Sequence, residues 1–284
     1  MDLSIIAPLY NEEESVALLY QRITEAVQAL GLEYEIIFVD DGSKDTTFHK
    51  ARDLAHADPH LRVIKFRRNY GQTPAMAAGI DHARGDILIT MDGDLQNDPR
   101  DIPLFLEKMK EGYDIVVGWR HKRQDKVITR KIPSKIANWL IGKVTGVPIK
   151  DNGCSLKAYR ANVIKNVPLY SEMHRFIPAM ASLAGSRVAE IKVRHHARQF
   201  GVSKYGLSRI FKVLADLLTI KTIVSFASKP MFWFVMLALP LFLLGLLCCA
   251  MFLVGLFGDN DASLVITASM AIIFLSVSYT HLTL

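Results

Sequence analysis

The sequence carries neither of the common glycine-rich phosphate loops: it has no G-x-G-x-x-G and no Walker lysine. Its only cysteines are Cys154, Cys248 and Cys249, too few for a disulfide framework and consistent with a reducing cytoplasmic face. No internal repeat or low-complexity linker interrupts the 284 residues. No signal peptide is expected ahead of the fold, because the first apolar strand begins almost at Met1. Formal charge is missing altogether from Met231 to Phe257, a run of 27 positions. As a helix that run is about 40 Å long at ~1.5 Å per residue, the length of a membrane span. Pro240 lies inside it and is expected to kink it.

What charge there is has a pattern. Lys and Arg total 34 against 28 Asp and Glu, a formal net charge of +6. Between Gly201 and Lys229 stand Lys204, Arg209, Lys212, Lys221 and Lys229, against Asp216 alone. Beyond them the formal charges are Asp259 and Asp261. A basic collar ahead of an apolar tail points to an anionic membrane surface and away from nucleic acid. It also places the N-terminal part in the cytoplasm by the positive-inside rule. The expected organisation is a cytoplasmic domain over 1–206, an amphipathic juxtamembrane helix over 207–229 and a two-span region over 230–284. The helix, from Leu207 to Phe226, sets Ile210, Phe211, Leu214, Leu217, Leu218 and Ile223 against its charged positions, which suits it to lie flat in the interface. A second apolar run starts near Leu264 and stops abruptly at Leu284, as in a chain whose C-terminus is incomplete. The spans also offer a route to a homo-oligomer.

The first 120 residues or so alternate strands with helices. Apolar strands are expected at Ser4–Pro8, Glu35–Val39, Arg62–Phe66, Ile87–Met91 and Asp114–Gly118. Between the first two, Val16, Leu19, Ile23, Val27 and Leu30 recur at helical spacing, with Asn11 as the expected cap and Glu12, Glu13 and Glu14 in the first turn. This is an α/β layer fold with a mostly parallel sheet, and ligands of such folds gather at the carboxyl ends of the strands. The polar residues fall there: Pro8-Leu9-Tyr10-Asn11-Glu12 after the first strand, Asp40-Asp41-Gly42-Ser43 after the second, Asp92-Gly93-Asp94-Leu95-Gln96 after the fourth. Asp92 and Asp94, separated by a glycine, can turn both carboxylates to one point, which a hard divalent cation would occupy while it bridges two phosphates. A tight acidic turn is the alternative for each motif taken alone.

Together these motifs resemble the family 2 glycosyltransferases, in particular those that act on polyprenyl phosphates. Arg68-Asn69-Tyr70-Gly71-Gln72 and the run from His196 to Tyr205 belong to the same pattern, and the resemblance covers nearly the whole chain. It implies the nucleotide-diphospho-sugar transferase fold called GT-A. It implies that Pro8, Tyr10, Glu12 and Asp41 line a nucleoside pocket, and that Asp92, Asp94 and Gln96 hold Mg²⁺ or Mn²⁺ and the diphosphate. Arg198, Ser203 and Lys204 match a late phosphate-binding loop, where Arg198 stabilises the leaving group; membrane-surface charge is its other reading. The donor it implies is a nucleotide-diphospho-sugar, with UDP-glucose favoured by the two-span tail and GDP-mannose or a UDP-aminopentose as alternatives. The acceptor it implies is a membrane polyprenyl phosphate such as undecaprenyl phosphate.

A phosphate monoester has a second pKa of about 6, so at neutral pH the acceptor is already a competent nucleophile. A single displacement would invert the anomeric carbon. Arg120, Lys122, Arg123, Arg130 and Lys131 form a basic segment suited to the acceptor phosphate, with a solvated mobile loop as the other reading of each. Asp151 is expected near the acceptor, as an orienting group, as a base where a proton remains, or as a cap of the next element. A processive synthase is disfavoured by the lack of a Q-x-x-R-W motif, and a non-catalytic membrane scaffold by the intact acidic motifs.

Overall fold

The computed structural model describes residues 1–121, 142–143, 147, 149–167, 169, 173–183, 185–197, 199, 219, 222, 229–255 and 261–283. The chain divides into two units, Met1–Leu217 and Leu218–Leu284. In the first, β1 (Leu3–Leu9), β2 (Tyr34–Asp40), β3 (Leu61–Lys65), β4 (Ile87–Thr90), β5 (Ile115–Arg120), β6 (Lys157–Arg160) and β7 (Val188–Val193) form one sheet. Its strand order is β3-β2-β1-β4-β6-β5-β7. β1 pairs in parallel with β2 and β4, β2 with β3, and β5 with β7, whereas β6 runs antiparallel between β4 and β5. Six strands therefore point one way, and their carboxyl ends share one edge.

The sheet is covered on both faces, which is why its central strands read as unbroken apolar runs. All seven positions of β2 are buried. Alternate residues of β1 divide between two cores. Leu3, Ile5, Ala7 and Leu9 pack with α1 (Val16–Gln28) and α4 (Ile102–Lys110), whereas Ile6 joins Ile37, Val39 and α3 (Gln72–His82) on the other side. α2 (Thr47–Ala57) leads from β2 to β3 and contributes Ala51 to the α1 side.

The start of α1 differs from the expectation. The helix begins at Val16 with Ser15 at its N-cap, and there is no acidic residue in its first turn. Asn11 instead takes a left-handed conformation (φ 52°), which asparagine tolerates. Its Oδ1 accepts from the Lys44 N–H at 2.8 Å, and its own N–H donates to Ser43 Oγ at 2.9 Å. The side chain serves the loop after β2, some thirty residues away, in place of its own helix.

Near the opposite edge of the sheet, Glu35 is a buried carboxylate. It accepts from Ser4 Oγ (2.8 Å), the Arg84 N–H (2.6 Å) and Arg62 Nη1 (2.8 Å), which joins β2 to β1, to β3 and to the residues after α3. Burial pushes Glu35 up, but the bonds from Arg62, Arg84 and Ser4 outweigh it and hold the carboxyl below its usual range.

In the second unit, α5 (Pro230–Gly255) is the one described helix long and apolar enough to cross a membrane, and Pro240 lies within it. α6 (Asp261–Thr283) is helical where the second span was expected. Its apolar stretch, Val265–Thr280, is shorter than the roughly 20 residues a span requires. The two helices pack antiparallel through small residues. A methyl group on Gly245 would stand 2.8 Å from Leu275 Cγ, and Ser278 Oγ donates to the Ala238 carbonyl at 3.1 Å.

Glu35→Ala would strand Ser4, Arg84 N–H and Arg62 together, and is expected to lower stability by about 3 kcal/mol. Because the folded Glu35 carboxyl lies below its unfolded value, its contribution is present above the unfolded value and is lost as pH falls through the folded one. Urea unfolding of wild type and Glu35→Ala should therefore converge as pH drops below about 4, near the unfolded glutamate pKa; a constant gap would remove Glu35 as the cause.

Candidate active site

The site is assembled from the loops that leave β1, β2 and β4. Those after β1 and β2 are tied to each other: besides the Asn11 bonds, the Glu12 N–H donates to Thr47 Oγ1 at 2.8 Å and the Thr46 N–H to Glu13 Oε2 at 3.1 Å. Pro8 lies in β1 beside Val39 of β2, and Tyr10 and Glu12 follow on this tied loop. The Ser15 hydroxyl donates to Glu12 Oε2 at 3.0 Å.

Asp41 is buried, and its carboxylate organises a third loop. It accepts from the Tyr70 N–H (2.7 Å), the Gly71 N–H (2.9 Å) and Asn69 Nδ2 (2.9 Å). Burial pushes its pKa up, those amides oppose the rise, and neighbouring Asp40 adds to it. Gly42 makes the approach possible. Its φ is +68°, and a methyl group there would stand 2.4 Å from the Arg68 carbonyl carbon. Asp40, fully buried, accepts from the Ser43 N–H with Oδ2, while its Oδ1 has no hydrogen-bond partner among the described residues.

The Asp92-Gly93-Asp94 loop presses against the first loop. A methyl group on Gly93 would stand 2.5 Å from Leu9 Cδ2 and 3.2 Å from the Pro8 carbonyl oxygen. Gln72, at the start of α3, donates from Nε2 to Asp92 Oδ1 at 2.6 Å, and the Gln96 N–H donates to Asp94 Oδ1 at 3.1 Å. Asp92, Asp94 and Gln96 all follow β4 at its carboxyl end. Among the described residues no three His, Cys, Asp or Glu side chains group as a metal centre. Two carboxylates and one amide carbonyl are a hard, oxygen-only set that fits Mg²⁺ or Mn²⁺ when a diphosphate supplies further oxygens.

Arg120, at the end of β5, faces Asp151. Its Nε and Nη2 donate to the two Asp151 oxygens at 2.7 and 2.8 Å, a two-pronged pair with both partners largely buried. Burial works against the charge on Arg120, but Asp151 and, less strongly, Asp92 raise its pKa. Asp151 therefore orients Arg120: both of its oxygens already take guanidinium hydrogens, which does not suit a carboxylate that must accept a substrate proton. Nearby Cys154 is fully buried, and burial pushes its thiol up to about 12, so it is no nucleophile.

A set of charges missed in the sequence ties the far side of the β4 loop to the chain leaving β7. Asp98 takes the Arg100 guanidinium on both oxygens and His196 Nε2 at 3.1 Å, with Arg194 Nη1 at 3.7 Å. Burial would raise Asp98, yet Arg100 and His196 hold it well below the usual carboxylate range. The His196 N–H donates to the Gln96 carbonyl at 2.9 Å, and the Arg194 N–H donates to Asp101 Oδ2 at 2.7 Å. Residues 194–196 are thereby held against Gln96–Asp101. Gln72 was missed as well, although it closes the Arg68–Gln72 motif; nothing in that motif names Asp92 as its partner. Lys122, Arg123, Arg130, Lys131, Arg198, Ser203 and Lys204 lie outside the described residues, as does nearly all of the expected amphipathic helix.

A mostly parallel α/β sheet with paired carboxylates at its carboxyl edge defines a nucleotide-sugar transferase of the GT-A type. The chain matches glycosyl transferase family 2 over residues 4–168 and belongs to that family. A dodecaprenyl-phosphate galacturonate synthase of Rhizobium johnstonii is 48% identical over 251 residues, 87% of this chain and 74% of that protein. Among solved structures, glucosyl-3-phosphoglycerate synthase of Mycobacterium tuberculosis, in complex with Mn²⁺, UDP and phosphoglyceric acid, shares the fold at 18% identity. Its TM-score is 0.62, over 78% of each chain. The same enzyme with Mn²⁺ and UDP-glucose aligns at a TM-score of 0.59 and 15% identity, over 78% of each chain.

Gly42→Ala is expected to lower stability by about 2 kcal/mol or more, from left-handed strain plus the Arg68 contact. Thermal melts check this; an unchanged melting temperature would show that the loop absorbs the added methyl group.

Proposed function

We propose that the chain transfers one sugar, with inversion, from a UDP-sugar to a membrane polyprenyl phosphate. The observation that carries the reading is the joining of Asp92, Asp94 and Gln96 to the Pro8–Glu12 and Asp41 loops at one sheet edge. The 48% identity to a dodecaprenyl-phosphate galacturonate synthase supports the acceptor class. It also adds a uronic acid to the candidate donors, beside UDP-glucose. In this reading Pro8, Tyr10, Glu12 and Asp41 face the nucleoside, Arg120 meets the acceptor phosphate and Asp151 orients Arg120. Lys122, Arg123, Arg130 and Lys131 supplement the acceptor site, while Arg198, Ser203 and Lys204 face the leaving diphosphate. A cation held by Asp92, Asp94 and Gln96 would neutralise charge on that diphosphate. A location in the cytoplasmic membrane, with the first unit in the cytoplasm, is the reading supported by α5 and the basic residues that precede it.

The direct test is mass spectrometry of the lipid after incubation with undecaprenyl phosphate and either UDP-glucose or UDP-galacturonate. One added sugar is expected; a soluble glycan, or several sugars on one lipid, would overturn the reading. Asp94→Asn should lower kcat by about 10²-fold or more and weaken Mn²⁺ binding in titrations without substrate. Full turnover by that variant in excess chelator would end the metal assignment.

The pH profile separates the roles of Asp151. If the acceptor dianion is itself the nucleophile, activity falls below about pH 6, the second pKa of a phosphate monoester. Asp151→Asn should lower kcat yet leave that acid limb in place. Disappearance of the limb would make Asp151 the base.

A further inference from the structure

Gly153 lies between two guanidinium groups that come from distant parts of the chain. A methyl group placed on it would stand 3.2 Å from Arg120 Nη2, 3.7 Å from Arg175 Nη1 and 3.7 Å from Asp151 Oδ1, so the two nitrogens lie within about 7 Å of each other, with one carboxylate oxygen beside them. Arg120 is carried by β5, whereas Arg175 ends the short turn Met173–Arg175. Gly153 and Arg175 are only half-buried, so this gap can be reached from outside.

The arrangement is built from beneath. Lys157, buried in β6, donates from Nζ to the carbonyls of Asn152 and His174, each at 3.2 Å. One ammonium thus holds the loop that bears Gly153 and the turn that bears Arg175. His174 Nδ1 lies 2.6 Å from Thr73 Oγ1, which fixes the turn to the start of α3 beside Gln72 and Asp92. The Thr90 hydroxyl donates to the Ser155 carbonyl at 2.9 Å, and Asn97 Nδ2 donates to Ser155 Oγ at 2.7 Å, which fixes the 151–155 loop to the metal-binding loop. Three cations therefore converge next to the carboxylates of β4. Burial pushes Lys157 down to about 8; Arg175 and Arg120 add to that fall, while Cys154 and Asp151 oppose it.

We propose that Arg175 and Arg120, across Gly153, form a subsite for a substrate oxyanion: the acceptor's phosphate monoester or a carboxylate on the donor sugar. Guanidinium groups make charge-assisted bonds of about 2.8 Å, so one phosphate or carboxylate between them can accept from both. Glycine at 153 keeps the gap open, since any side chain would fill it. Arg175 is then a substrate-binding residue that complements Arg120. The inference rests on the transferase reading above, and names where that enzyme grips a negative charge.

The test uses the full chain in detergent, comparing wild type with Arg175→Gln, Arg175→Lys and Gly153→Ala. If the oxyanion is the acceptor's, KM for undecaprenyl phosphate rises about tenfold or more in Arg175→Gln and Gly153→Ala, with KM for UDP-glucose nearly unchanged. If it is the donor's, KM for UDP-galacturonate rises to that extent while KM for UDP-glucose stays put. Arg175→Lys, which keeps charge but loses the fork, should fall between. Unchanged KM values for all three substrates, or a loss confined to kcat, overturn the subsite while leaving the transferase intact. A wild type that makes no lipid product overturns the transferase reading. The subsite is then judged by inorganic phosphate at saturating UDP, which should raise the melting temperature of wild type but not of Gly153→Ala. An equal rise in both overturns it. Should Arg175→Gln fail to show a cooperative melt, Gly153→Ala and Arg175→Lys carry the kinetic comparison.

Discussion

Parallel strands bring their carboxyl ends to one edge, and here that edge is acidic. Asp40 ends β2 and Asp41 follows it, while Asp92 and Asp94 stand two and four residues beyond Thr90, the end of β4. Carboxylates gathered this way repel one another, so the fold depends on what offsets them. The offset comes mainly from amides and arginines recruited over long sequence distances. The Tyr70 and Gly71 amides take Asp41, Gln72 takes Asp92, and Arg120 takes Asp151. Each bond also fixes the position of a loop. The hydrogen bonds that make the acidic edge tolerable are therefore the same ones that shape the site.

The geometry of β6 extends this logic. An antiparallel strand between β4 and β5 brings its preceding loop, residues 151–156, over the carboxyl ends of both neighbours. Asp151 and Gly153 reach the site for that reason alone. A fully parallel sheet would have sent this loop to the opposite edge. Lys157, the first residue of β6, is buried between Thr90 and Val117, and it holds two loops through carbonyl oxygens without a direct carboxylate partner among the described residues. Burying an ammonium this way is unfavourable unless nearby geometry repays it, and both loops it holds belong to the site.

Much of this was legible in the sequence, and the limits are physical. β1, β2 and β4 were readable because burial on both faces demands apolar runs of strand length, such as Glu35-Ile36-Ile37-Phe38-Val39. β6 was not, because Lys157-Ala158-Tyr159-Arg160 has a cation at each end and no apolar run. β7 was not, because Val188–Val193 is an edge strand with mixed polarity. The acidic motifs were visible as motifs, yet their partners were not. A carboxylate that accepts backbone amides 29 and 30 residues away, as Asp41 does, leaves no local pattern. Asn11 shows the same failure in reverse: its local context predicts a helix cap, and a more distant partner wins.

The Arg120–Asp151 pair shows why the type of residue alone does not fix its role. An aspartate near an acceptor invites assignment as a base. In this fold the fork of Arg120 occupies both Asp151 oxygens, and a proton on either would break one of those bonds. In the proposed transfer, a phosphate nucleophile already ionised near neutral pH would have no need of that proton transfer. It would need a cation held at a fixed angle, because a flexible arginine would lose much of its advantage in ordering itself. On that reading the carboxylate that looks like a base is worth more as the group that keeps its arginine still.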